Sequence, residues 1–391
     1  MTNLLLAVVF ALLAAGLAPS PLALGQDGQV PLIQVPLTKD LVIVTAVQWP
    51  DGDYESLKRV VAVSDRNVTI TVSAEAPPVQ GDPLADLFGG SSAGGAKGEP
   101  RRVNARRIVR REDLQSAHEY VQRFWEDAPA TFPGTTAVGV SSAVLSELKS
   151  KGTTKLTVVD QRSSGRSLDG LLGSLAGDAP AGASGRRTIT GTLNVVKGGP
   201  GTMSVLVNGS PTPLRVVHAA GELDGVKAEL FILDDPANPL SLQYSFGDVH
   251  LDVVRLDYPV QQSAAAPAKT IERQLAAAGK ADVYGIYFDF ASDRIKPESE
   301  PVLIEIARVL ADNPAWQLTI EGHTDNIGGD GFNLDLSRRR AASVKGALIG
   351  SHKVTAARLS TNGFGAGRPK DTNGTLAGRA RNRRVELVRH P

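Results

Sequence analysis

The sequence predicts an α+β protein: a β-rich first part, folded as an antiparallel sandwich or small barrel, followed by a β-α-β-α-β unit forming an α/β sandwich. Three observations carry this expectation. Before residue 258, short runs rich in Val, Ile, Leu and Thr recur between turn signals. The stretch PVQQSAAAPAK at 259–269 is polar, rich in Ala and Pro, and without periodicity. Beyond it, apolar spacing switches between periods of 2 and 3.6. A chain of 391 residues is too long for one ordinary domain, and two is the working count. A hydrophobic content of 42% and a charged content of 21% are those of a folded chain rather than a disordered or fibrous one.

At the N-terminus, Leu4 to Ala18 is an apolar run followed by Pro19, Pro21 and the small-x-small pattern Ala23-Leu24-Gly25. Residues 1–25 therefore read as a secretory signal peptide. The alternative is an uncleaved membrane anchor, although the n-region Met1-Thr2-Asn3 carries no basic residue and the run is shorter than the ~20 residues a span requires. Residues 27–258 form the expected β-rich domain. Leu41 to Gln48 and Arg59 to Ala74 read as strands, the latter broken by a turn at Ser64-Asp65-Arg66-Asn67. Pro77 to Pro100 and Ser163 to Arg186 shift to Gly, Ala and Ser and read as mobile loops. Asp113 to Asp127 is expected to be the one helix before residue 270, with Asp113 as N-cap and Leu114, Ala117, Val121 and Phe124 at helical spacing. Strands then recur at Thr188–Val196, Ser204–Asn208, Arg215–His218, Ala228–Leu233, Leu240–Phe246 and Leu251–Leu256.

Residues 259–270 read as an interdomain linker, and 271–391 as the second domain, at about 120 residues a comfortable single-domain size. Tyr284, Ile286, Phe288 and Phe290 alternate as a first strand. Pro297 opens a helix with Val302, Ile306, Val309 and Leu310 on one face, and Asn313-Pro314 ends it. Trp316, Leu318 and Ile320 make a second strand, Leu336 to Ile349 a second helix, and Arg383 to Val388 a closing strand.

Composition and motifs exclude several function classes. With no cysteine there is no disulfide framework, thiolate nucleophile, Cys-based zinc site or acylated lipoprotein cysteine. A net charge of +1 gives no whole-chain reason to expect nucleic acid. His118, His218 and His250 are isolated, and neither HExxH nor GxSxG occurs, so no metal, cofactor or catalytic residue is expected. The cluster Arg101, Arg102, Arg106, Arg107, Arg110 and Arg111 reads as a solvated loop leading into the helix, with contact to anionic lipid headgroups as the alternative. A transmembrane barrel needs strands of about 9–11 lipid-facing residues and aromatic girdles. Aromatics total only 5% here.

Four blocks carry a resemblance: Tyr287-Phe288-Asp289-Phe290, Glu321-Gly322-His323-Thr324-Asp325, Asn333-Leu334-Asp335-Leu336-Ser337-Arg338-Arg339-Arg340-Ala341, and Gly378-Arg379-Ala380-Arg381-Asn382-Arg383-Arg384-Val385-Glu386. In this order and spacing they resemble the OmpA-like C-terminal domain, the module that Gram-negative envelope proteins use to hold peptidoglycan. The resemblance implies a ligand, the diaminopimelate of the peptide stem, whose tip pairs an ammonium with a carboxylate. Asp325 would accept from the ammonium, and Arg340 would fork onto the carboxylate with two parallel N–H bonds. Read without the resemblance, the two residues would be an internal salt bridge.

Arg340 is placed in the first turns of its helix, where the helix dipole would assist, and glycines at 328, 329 and 331 would let ligand approach the loop. Phe290 would wall the pocket, with Thr324, Asn333, Leu336 and Arg384 in support. The sequence departs from the pattern at Ala291, where some members carry an acid, and in lacking a lipidated cysteine. His323 in GHTD invites a catalytic dyad, but no nucleophile motif accompanies it.

The expected role is non-covalent anchoring of a periplasmic or outer-membrane protein to peptidoglycan, the β-rich domain facing another envelope protein. Alternatives are a wall-localised assembly factor for a transport or secretion apparatus, and a wall-targeted hydrolase.

Overall fold

Val, Ile and Thr crowd the first half because it is built almost wholly of strands. The computed structural model describes residues 32–48, 53–76, 101–121, 130–160, 187–247, 249–259, 270–289 and 291–390. The expected signal peptide, the two Gly/Ala-rich loops, nearly all of the linker and Phe290 lie outside the described residues.

Strands β1 (Val42–Gln48), β2 (Tyr54–Val63), β3 (Asn67–Ala76) and β4 (Arg101–Arg110) run antiparallel, with Ser64 to Asn67 turning the chain as its residue types predict. All of the arginine cluster but Arg111 therefore lies in a strand and not in the expected loop. Its ten-residue ladder with β3 satisfies the backbone, and Arg107 is buried, its guanidinium 3.9 Å from the Phe132 ring centroid and 2.6 Å from the Thr135 hydroxyl.

A short helix α1 (Arg111–Ser116) follows, in place of the longer one expected from 113 to 127, of which 122–129 lie outside the described residues. After β5 (Glu119–Tyr120) and β6 (Thr135–Thr136) comes an unforeseen helix, α2 (Ser142–Lys151). The Ser141 hydroxyl accepts from the Val144 amide at 3.2 Å, and Gly152 closes the other end at φ 74°.

Strands β7 (Thr153–Asp160), β8 (Arg187–Val195), β9 (Thr202–Val207), β10 (Ser210–Leu223), β11 (Val226–Leu233), β12 (Ser241–Phe246) and β13 (Val249–Asp257) complete this half. Among the described residues all thirteen strands join one sheet. Strand β9 pairs with both β10 and β13, so the path β9–β10–β11–β12–β13 closes on itself. Two apolar clusters fill the interior, one around Ile43, Val60, Ile70 and Leu214, the other around Tyr120, Leu145, Leu193 and Leu230.

The C-terminal part starts with helix α3 (Thr270–Ala278) and β14 (Lys280–Val283). The strand expected over Tyr284–Phe290 is displaced toward the N-terminus. Tyr287 takes the Ser299 hydroxyl as acceptor for its amide, at 2.8 Å, and bridge pairing in this segment is confined to Phe288 with Ile295. Helix α4 (Glu300–Asp312), β15 (Gln317–Gly322), helix α5 (Asp330–Gly350), β16 (Leu359–Gly363), helix α6 (Leu376–Asn382) and β17 (Val385–His390) follow. The sheet order is β14–β17–β15–β16, with β15 and β16 parallel and the other pairs antiparallel. Its core gathers Leu275, Ile306, Leu310, Ile320, Val344, Leu348 and Leu387.

Glycine sets how closely α5 lies on this sheet. A Cβ at Gly322 would stand 2.1 Å from the Ser337 carbonyl oxygen, and one at Gly363 would stand 2.5 Å from the Arg338 amide. Residues Leu32–Pro391 form one compact unit.

Candidate binding site

The loop after β15 carries Asp325, and five local hydrogen bonds fix it. Thr324 donates its hydroxyl to the Asp325 carbonyl at 2.9 Å, and its amide donates to Gly365 at 3.0 Å. The buried amide of Asn333, on the first turn of α5, donates to the carbonyls of Asp325 (3.3 Å) and Ile327 (3.1 Å). Asp325 in turn accepts from the Ile327 amide at 3.0 Å through one carboxylate oxygen. Gly328, at φ 96°, makes the bend that no other residue type adopts cheaply. Leu336 faces inward from the same helix, 5% exposed.

Arg340 lies roughly three turns into α5, not at its start as the sequence suggested, so the helix dipole does not reach it. Its guanidinium donates to the carbonyls of Ser292 (2.9 Å) and Asp289 (3.4 Å) and lies 4.8 Å from the Phe288 ring centroid. Ala291 holds φ 50° in the loop presenting those carbonyls. Burial is the main reason its pKa is pushed down to about 10, and Glu55 and Asp325 oppose that shift.

The structure does not make Asp325 and Arg340 an internal salt bridge. Asp325, 6% exposed, takes Arg383 as its ion partner. Arg383 was not among the sequence-derived site residues, although it stands in the fourth quoted block beside Arg384. Neighbouring extended residues point to opposite sides, and the register that turns Arg383 toward Asp325 is not visible in the sequence. Arg384 enters a buried network instead, with Asp282 at 3.0 Å and Glu386 at 3.3 Å. Arg339 pairs with Asp293 (2.6 Å) and Asp335 (2.8 Å), while Arg338 is exposed.

A cavity of about 90 Å³ opens here, walled by Tyr287, Phe288, His323, Arg340, Arg383 and Arg384. Asp325 does not line it; Arg383, which holds its carboxylate, does. Its far wall comes from the β-rich half: Val44, Glu55, Leu206, Val254 and Arg255. Glu55 reaches Arg383 at 2.5 Å. Burial pushes the Glu55 carboxyl up, but Arg383, Arg255 and Arg340 outweigh it and hold the group below the usual carboxylate range. His323 is buried, stacks on Phe364 with centroids 5.5 Å apart, and is pushed down to about 4 by burial and by Arg384. The stacked imidazole forms part of the cleft wall. Among the described residues no group of His, Asp and Glu is placed to hold a metal ion.

The cleft thus gathers the cations Arg255, Arg340, Arg383 and Arg384 and one acid, Glu55. Residues 287–383 match the profile of the OmpA family, so the C-terminal part of the chain is an OmpA-family domain. Outer membrane porin F of Pseudomonas aeruginosa is 39% identical over 101 residues, 26% of this chain and 29% of that protein. Outer-membrane lipoprotein YfiB of the same organism is 42% identical over 96 residues, 25% of this chain and 56% of that protein. A solved peptidoglycan-associated lipoprotein from Burkholderia pseudomallei is 31% identical, over 27% of this chain and 88% of that one, with a TM-score of 0.25. The chain thus spans under a third of the porin's length and little more than half of YfiB's. These three relatives are named as a porin and as lipoproteins.

Proposed function

We propose that the C-terminal module binds peptidoglycan non-covalently through the diaminopimelate of its peptide stem and so anchors a protein of the periplasm or outer membrane. Asp325 accepts from the ammonium and Arg340 forks onto the neighbouring carboxylate. Phe288 and Tyr287 wall the cleft, while Thr324, Asn333 and Leu336 hold the loop and helix in position. Relatives of the module carry outer-membrane and lipoprotein names, and one of them is called peptidoglycan-associated.

Arg340 carries the reading. Its guanidinium lines the cleft and its hydrogen bonds among the described residues go to two neutral carbonyls, so a ligand carboxylate there would compete only with Glu55 and Asp325 for its charge. Each contact to a charged group contributes about 1.5–3 kcal/mol, and ordering costs subtract from the sum. Monovalent affinity is then roughly micromolar to millimolar, and a polymer with many stems adds avidity.

Sedimentation with purified sacculi tests this. The wild-type chain co-sediments, and Arg340→Ala lowers the bound fraction with a loss of about tenfold in affinity. Equal sedimentation of both proteins removes Arg340 from the site. Muropeptide profiles after incubation stay unchanged if the protein anchors, whereas new wall fragments would support the hydrolase alternative.

A further inference from the structure

The β-rich half does more than adjoin the cleft: it supplies Glu55, the carboxylate paired with Arg383 at the cleft. Strands β1, β2 and β13 turn Val42, Val44, Ala46, Leu57 and Val254 outward onto Leu376 and Ala380 of α6, with Tyr287 and Ala377 packed against them. Around this apolar patch stand four polar contacts between the halves: Asp53 with Arg379 at 2.5 Å, Glu55 with Arg383 at 2.5 Å, the Tyr287 hydroxyl donating to Asp257 at 2.8 Å, and Arg381 donating to the Ser204 carbonyl at 3.4 Å. The Arg255 guanidinium covers the Tyr287 ring at 4.1 Å.

We propose that the β-rich half masks the wall-binding cleft, with the Glu55 carboxylate standing where a stem carboxylate would bind. The module engages peptidoglycan once this contact opens. The inference rests on the function proposed above.

Two observations carry it. Both charges that a zwitterionic tip requires are already engaged: Arg383 takes the Asp325 carboxylate, and Glu55 is the carboxylate facing Arg383 and Arg340 from across the cleft. The remaining space, about 90 Å³, is smaller than the ~150 Å³ cavity that admits a benzene ring, and diaminopimelate is larger than benzene. Glu55 keeps 40% of its side-chain exposure, so the mask is held at its solvent rim, where a competing carboxylate can begin to exchange. A ligand that binds only the open state shifts the equilibrium by its differential affinity, and any substitution that weakens the closed state adds to apparent affinity.

The test uses the full chain as wild type, Glu55→Gln, and Asp53→Asn with Glu55→Gln. The probe is a murein tripeptide ending in meso-diaminopimelate, measured by calorimetry, with sacculi sedimentation in parallel. The double variant should bind about tenfold more tightly, equivalent to about 1.4 kcal/mol, and Glu55→Gln alone should fall between it and wild type. Affinity equal to or below that of wild type overturns the mask, because a Glu55 that helps hold the ligand ammonium would give a decrease.

Adding Arg340→Ala to the double variant separates the two readings. Abolished binding keeps the cleft whatever the mask does, and unchanged binding removes the cleft itself. Because the chain has no cysteine, Asp53→Cys with Arg379→Cys can be joined by a short bis-maleimide in the folded protein. The linked form should lose sacculus binding that the unlinked form retains, and full binding by the linked form also overturns the mask.

Discussion

Arg383 is the residue on which the cleft turns, because it holds Asp325 on one side and Glu55 on the other. Replacing it by Gln leaves Asp325 nearly buried without its ion partner, a loss of about 1–3 kcal/mol that urea unfolding should register. Asp252 gives a second prediction at this scale. Burial raises its carboxyl to about 6, with His250 opposing. An acid whose folded pKa lies above the unfolded ~3.9 favours the fold in its protonated form. The stabilisation is complete below about pH 4 and is lost as pH rises through 6. Asp252→Asn should therefore raise stability at pH 7 by as much as about 3 kcal/mol, at 1.36 kcal/mol per pH unit, and flatten the stability profile between pH 4 and 6. An unchanged profile would show that Asp252 is solvated. The quoted blocks drew the reading to Asp325 and Arg340. Glu55 had no such mark, since its role comes from a contact between residues more than three hundred positions apart.

At the scale of elements, the sequence showed more than was read from it. Leu41 to Val47 is apolar except for Thr45, and β1 is buried along almost its whole length. Such a run marks a strand covered on both faces, and the C-terminal module supplies the second cover. The α2 helix was signalled by Ser141 at its start and Gly152 at its end, but the segment was given no element. The arginine strand β4 was harder, because charge at alternate and adjacent positions hides a period of 2 and only pairing with β3 reveals it. The close approach of α5 to β15 gives a further prediction. Gly322→Ala puts a Cβ against the Ser337 carbonyl, and such overpacking costs about 1–3 kcal/mol. A melting temperature equal to that of wild type would contradict this packing.

For the whole molecule, the order of elements in the C-terminal part followed from periodicity, apart from the displaced first strand, the added helices α3 and α6 and the added parallel strand β16. What sequence could not supply was the relation between the halves, for the sandwich and the α/β module each read as self-sufficient. The contact between them buries an apolar patch flanked by ion pairs, and rim ion pairs weaken as salt rises. Raising ionic strength should therefore loosen the halves. Hydrogen exchange should show faster exchange in β1 and β2 at high salt than at low salt, while β15 and β17 stay protected. Uniform protection at both salt concentrations would mean that the apolar patch alone holds the halves together.

The most direct measurement is a crystal structure of the Asp53→Asn, Glu55→Gln protein soaked with a tripeptide ending in meso-diaminopimelate. The ammonium should lie against Asp325 and the carboxylate against the Arg340 guanidinium, with the β-rich half drawn back from the cleft. Ligand density elsewhere on the module, or an occupied cleft in which Arg340 still bonds only to Ser292 and Asp289, would contradict the account.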